Sequence, residues 1–228
     1  MEIESTVVWN ELLIQAENGD VAAMNEVAFW LREGVEKDGE EIVQVDKKAS
    51  FQWTIKAFEL GSLEAAEQYA DYLTDYRNEV CEPNVDLGMK LYERCYQEGS
   101  KRAAFCLGLE FRNMQQFEKA FAHYMEAQEV QNEIQDLIIA QSYYYGIGVS
   151  KNRKKALEIL ESLDKEKNTP YEMDEANYLI GRIYLEGEVV KQDLSKARLF
   201  LELADQDGDH RSAQELLILI GRSDLLRG

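Results

Sequence analysis

Apolar and small residues recur along this chain at helical spacing, in segments of about twelve residues that come in pairs. The pattern is clearest in the second half. There Ile139-Ala140-x-x-Tyr143-x-x-Gly146-x-Gly148-Val149 matches Ile180-Gly181-x-x-Tyr184-x-x-Gly187-x-Val189-Val190, 41 residues further on. Behind each stands a second amphipathic segment, opened by Lys155-Ala156 and by Lys196-Ala197. The small residue of the first segment recurs at Ala28, Ala70, Gly108, Ala140 and Gly181, at intervals of 42, 38, 32 and 41. That of the second recurs at Ser50, Gly88, Ala120, Ala156 and Ala197, with Ala57, Cys95, Ala127, Leu163 and Ala204 seven residues on. Gly61, Gly99 and Gly208 follow as expected helix-ending glycines, while Gln131 and Lys167 stand at the equivalent place in the third and fourth units.

Two short helices bury too little surface to be stable alone. Small side chains at fixed positions let neighbouring helices approach closely, and stacked pairs then share a continuous core. Only two prolines, Pro83 and Pro170, interrupt the chain. The pattern predicts an all-α chain, one solenoid over 1–228, with five helix pairs over about 22–62, 64–100, 102–132, 134–172 and 175–209. A lone helix at about 5–18, with Trp9 and Leu13 facing inward, and another at about 211–222 are expected to cap the ends. The acidic rather than basic polar face of the first argues against a membrane anchor.

These motifs resemble the Sel-1-like repeats, relatives of the tetratricopeptide repeats, over about residues 15 to 220. The likeness is strongest in the fourth and fifth units. The second has lost the glycine turn, and the third, with Phe117-Glu-Lys-Ala120, has the compact linker of a tetratricopeptide unit. The resemblance implies a right-handed alpha-alpha solenoid superhelix that binds a protein or peptide in a concave groove lined by the first helix of each pair. Secreted members of the family tie their helices with paired cysteines, a pattern that Cys81, Cys95 and Cys106 do not reproduce.

Charge changes the picture next. With 44 acidic and 25 basic residues the net charge is −19, which excludes an unassisted nucleic-acid or anionic-membrane surface and favours a basic partner. Residues 1–100 carry −14 of it. The acidic opening lacks the basic region of a secretory signal, no apolar run reaches membrane-spanning length, and three cysteines without a CxxC spacing read as reduced thiols, so a cytoplasmic location is expected.

Candidate chemistry is sparse. His123 and His210 are far apart and in no metal-ligand spacing. Gly146-Ile-Gly148-Val-Ser-Lys151 lacks the spacing of a phosphate loop. Asp38, Glu40, Glu41 and Asp46, around Gly39, lack the ladder of a calcium loop and read as an inserted, solvated acidic loop. No cofactor, metal or catalytic set is expected. The contrasting expectation is an enzyme or small-ligand binder, of a cell-wall fragment for instance, that uses Glu67 and Asp71 as an acid and base one helical turn apart.

If the family register holds, the groove exposes Phe29, Arg32, Glu64, Glu67, Asp71, Asp75, Phe105, Leu109, Arg112, Gln141, Tyr144, Tyr145, Tyr178 and Arg182. Phe105, Leu109, Tyr144, Tyr145 and Tyr178 would form an aromatic and apolar strip, and Glu64, Glu67, Asp71 and Asp75 an acidic wall. Such a lining suits a non-enzymatic scaffold for a basic protein or peptide, in its sharpest form a bacterial immunity or inhibitor protein that neutralises a cationic toxin.

Overall fold

The computed structural model describes residues 3–127, 133–166 and 168–225; Gln131 and Lys167 lie outside them. Among the described residues the helices run α1 (Thr6–Glu17), α2 (Val21–Glu33), α3 (Lys47–Glu59), α4 (Leu63–Thr74), α5 (Val85–Gln97), α6 (Lys101–Asn113), α7 (Phe117–Ala127), α8 (Glu133–Tyr145), α9 (Arg153–Ser162), α10 (Pro170–Glu186), α11 (Leu194–Ala204) and α12 (Arg211–Leu225). A hairpin of β1 (Val35–Lys37) and β2 (Glu40–Val43) joins α2 to α3. The chain divides into two compact units, residues 1–107 and 108–228, with the boundary inside α6.

Local chemistry sets where the helices start and stop. The side chains of Asp20, Asp46, Asn84, Asn152 and Asp193 each accept the backbone N–H three residues on, satisfying a donor that the helix leaves unpaired. Thr169 and Glu172 form a reciprocal capping box, and Pro170 occupies the first helical position, so this proline starts a helix rather than breaking one. Gly61, Gly99 and Gly208 take φ of +90°, +95° and +78° just past α3, α5 and α11.

The two series of small residues meet each other. In the pairs α2–α3, α4–α5, α6–α7 and α10–α11 the small residue of the first helix faces that of the second, so the backbones nearly touch. Ser50 Oγ donates to the Ala28 carbonyl at 2.6 Å. A Cβ placed on Gly108 or Gly181 would stand 3.2 Å from the carbonyl oxygen of Ala120 or Ala197. The turn between α8 and α9 has the same logic. Gly148 has φ +69°, and a Cβ there would overlap the Phe117 carbonyl oxygen at 2.0 Å, so this turn lies on the backbone that opens α7.

In the first unit Leu12, Ala16, Ala23, Met24, Val27, Ala57 and Ala65 form the core, and Trp9, Leu13, Trp30 and Trp53 pack against it. Each fully buried large side chain contributes about 1.5–3 kcal/mol. The hairpin shares this core through the buried Val43. The acidic segment after α2 is therefore a hairpin rather than an irregular loop, while its acids Asp38, Glu40, Glu41 and Asp46 are exposed to solvent as expected. Asp38 and Gly39 both take positive φ, +54° and +81°, the turn that Asp-Gly favours between antiparallel strands. Asp46, counted among those acids, is the cap of α3. In the second unit Ala197, Leu201, Ala204, Ala213 and Ile220 form a core joining α11 to α12, with Tyr178 and Tyr184 beside it.

Candidate binding surface

In the first unit the acidic residues of α4 lie on one helical face by their spacing of three and four. They are held in different ways. Glu64 is exposed, and its Oε2 accepts from the Asn25 amide at 3.0 Å. Glu67 and Asp71 share the Arg102 guanidinium, at 3.3 and 2.6 Å. Asp71 also accepts the Tyr92 hydroxyl at 2.6 Å. Burial first, and then the Asp71 carboxylate, push the Tyr92 phenol above its ordinary range. Asp75 ends α4, where it accepts the Arg77 backbone N–H at 2.9 Å and stands 3.6 Å from the Arg77 guanidinium. A cavity of about 390 Å³ here has Arg32, Lys47 and Arg77 in its lining as well as Asp71 and Asp75.

The acidic wall is thus exposed acid at the start of α4 and mixed charge further along. Arg102 also changes the reading of Glu67 and Asp71 as an acid and base pair. Bridged by one cation, they form an ion-pair cluster that ties α4 to α6. Phe29 is 37% exposed, meets Trp30 edge to face at 4.8 Å, and has Arg32 at 5.5 Å from its ring. Arg32 itself pairs with Glu33 at 2.8 Å. Phe105, on the part of α6 in this unit, is half-buried.

In the second unit α8 and α10 bring Tyr144, Tyr145, Tyr178 and Arg182 together. Tyr144 is not the exposed anchor expected: it is 1% exposed, because its ring lies between Arg153 and Arg182, at 4.7 and 5.4 Å from its centroid. Its hydroxyl is 3.5 Å from Glu186, which also accepts from Arg182 at 2.8 Å and from Arg153. Arg153 donates further to Glu188 at 2.6 Å. Burial raises the Tyr144 phenol to about 12, opposed by Arg182 and reinforced by Glu186.

Tyr145 is 49% exposed and stands edge-on to Tyr144 at 4.7 Å. Tyr178, half-buried, lies 5.8 Å from the Arg182 guanidinium. Gln141 on α8 and Leu109 on α6 are half-buried, and Arg112 is exposed. Of the expected strip, Phe105 belongs to the first unit and the other four residues to the second.

Arg153 escaped the sequence reading because it opens α9, a second helix, and reaches the first-helix face across the turn. Tyr92 of α5 does the same in the first unit. The two histidines have structural surroundings: His123 stacks on Phe111 at 5.2 Å, and His210 Nδ1 accepts the Ala213 N–H at 3.2 Å, capping α12. Among the described residues no group of three or more His, Cys, Asp or Glu could hold a metal ion, and no helix is long and apolar enough to cross a membrane.

The Sel1 repeat pattern matches residues 21–62, 139–162 and 174–209. Among solved structures, the c5321 protective antigen of uropathogenic Escherichia coli, which displays an SLR fold, is similar with a TM-score of 0.72 at 19% identity. The likeness covers 92% of this chain but only 43% of that one, so the chain spans less than half the antigen's length. A Sel1 repeat protein from Oxalobacter formigenes is similar with a TM-score of 0.65 at 17% identity, over 87% of this chain and 75% of that one. No curated protein shows significant sequence similarity to the chain. With the repeat pattern in three segments and paired helices among the described residues, the chain carries Sel1 repeats in a fold that is all-α apart from the β1–β2 hairpin.

Proposed function

We propose that this protein is a non-enzymatic scaffold that binds a basic protein or an extended peptide on the outer faces of its first helices. The observation that carries the reading is Tyr145. Its ring is half exposed on a network, Tyr144 with Arg153, Arg182 and Glu186, that fixes its orientation before any partner arrives. An aromatic anchor held rigid loses little entropy on binding, which is the property of residues that dominate interface energies. The acidic start of α4 supplies attraction for a cationic partner. In its sharper form, the partner is a cationic toxin and the protein its inhibitor, with the acids of residues 1–100 competing for the surface that would meet phosphate. The three free thiols suit a reducing compartment such as the cytoplasm.

The test is affinity capture from the native host with the wild-type chain and with a Tyr145→Ala, Tyr178→Ala variant. Truncating such anchors costs about 1–2 kcal/mol each, so the partner is expected to be lost by roughly a hundredfold while the helical circular dichroism stays unchanged. Equal capture by the folded variant would refute the reading.

A further inference from the structure

Three turns of the second unit follow one another along one edge, those of α6–α7, α8–α9 and α10–α11. Direct contacts join them. Gly148 rests on the Phe117 carbonyl, too close for any Cβ, and Arg153, which opens α9, reaches Glu188 in the third turn at 2.6 Å. Each turn exposes an apolar side chain, Phe117, Ile147 and Val189, all at least 37% accessible. The edge is also basic where most of the chain is acidic. Gly146 to Lys155 holds four bases and no acid. Two of these have structural posts: Arg153 in the Tyr144 network, and Lys155, whose Nζ donates to the Tyr143 hydroxyl at 2.7 Å. Lys151 and Lys154 have none. Both are exposed, as is Lys191 in the third turn, and among the described residues no carboxylate pairs with any of the three. Lys154 stands in the first turn of α9, where the helix dipole disfavours a cation, so helix stability does not account for it. Of the acids on this edge, Glu188 is held by Arg153 and Asp193 caps α11, which leaves Glu118.

We propose that this edge docks an acidic segment of a protein partner, its carboxylates meeting Lys151, Lys154 and Lys191 and its apolar side chains lying on Phe117, Ile147 and Val189. Apolar contacts bordered by charge are the composition of an interface core and its rim. The lysines set the sign of the partner, opposite to the one that residues 1–100 attract. A nucleic acid fits less well. Charges are screened over about 10 Å at 0.1 M salt, so a short acidic segment meets mainly the local lysines, whereas a long polyanion also meets the field of a chain with net −19. Ile147 and Val189 moreover offer no ring on which a base could stack. The inference goes beyond the reading of a basic partner and does not depend on it. Together they describe a scaffold with two surfaces of opposite sign.

Fluorescence anisotropy of the full chain, with a short labelled peptide that repeats Glu-Glu-Leu, tests this at low salt. Saturable binding is expected, weakened at least about tenfold by Lys151→Glu, Lys154→Glu and about threefold by the milder Lys151→Gln, Lys154→Gln. Replacing leucine by serine in the peptide should weaken it about threefold or more. Lys47→Glu, Lys48→Glu alters the net charge equally but in the first unit, and should leave the affinity within about twofold of wild type. A labelled oligouridylate of the same charge should bind at least about tenfold more weakly than the peptide. Circular dichroism of each variant confirms that the helices are kept. No saturable binding, equal losses in the two glutamate variants, no effect of the serine peptide, or oligouridylate binding as tight as the peptide overturns the proposal. So do dimers of the chain alone that Lys151→Glu, Lys154→Glu abolishes, since they would place a second copy on this edge.

Discussion

A methyl group added at position 108 would stand 2.5 Å from the Tyr124 ring and 3.2 Å from the Ala120 carbonyl oxygen. Gly108→Ala must therefore spread a helix pair or turn a buried ring, at a cost of about 1–3 kcal/mol. Gly148→Ala is expected to cost more. Its methyl would meet backbone, the Phe117 carbonyl oxygen at 2.0 Å, and its φ of +69° disfavours any side chain. Urea unfolding monitored by circular dichroism should give midpoints in the order wild type, Gly108→Ala, Gly148→Ala, and a reversal would show that the seam yields less easily than the turn. Both positions were legible in the sequence as members of a repeating series. At the candidate surface, the exposure of Tyr145 was legible from register alone. The burial of Tyr144 was not, because register gives the direction in which a side chain leaves its helix and not what closes over it. Here that cover is Arg153, from a helix outside the register.

At the scale of elements, the helix pairs could be read because each needs a small residue at one point of close approach, and that requirement repeats. The hairpin between α2 and α3 repeats nowhere else among the described residues. Its acids are exposed, as their charge predicts, and its strands follow from Asp38-Gly39 between Val35-Glu-Lys37 and Glu40-Glu-Ile-Val43, a hairpin signal. The helix interfaces also carry a pH dependence. Burial, with Glu67 adding, raises the Cys95 thiol to about 11 from 9.0. Burial raises Cys106 to about 11 as well, with Arg102 opposing and Asp71 adding, and raises Tyr144 to about 12 from 10.0. In each case the folded chain holds the proton more tightly than the unfolded chain does. The resulting stability is fully present below about pH 9 and is lost as pH rises through the folded values. Thermal midpoints are expected to fall between about pH 9 and 12, and Cys95→Ser should fall less steeply than wild type. A flat profile over that range would contradict these assignments.

For the whole molecule, −14 of the net −19 lies in residues 1–100, and Arg102, just beyond them, offsets Glu67 and Asp71 but not the exposed Glu64. Long-range attraction between such a segment and a cationic partner is screened over about 10 Å at 0.1 M salt. Stopped-flow association is accordingly expected to slow by about tenfold or more from 0.02 to 0.5 M salt, with dissociation changing far less. An association rate independent of salt would assign the acids to solubility. The repeat intervals of 42, 38, 32 and 41 show that connections vary in length while the small-residue contacts keep their places. The hairpin is one such variable connection, anchored by Val43, with Lys37 to Glu41 exposed and open space around Gly39. Its tip is consequently a natural attachment point: a fluorophore or short affinity tag inserted between Asp38 and Gly39 would report on partner encounter while leaving the tyrosine network and the acids of α4 as they are.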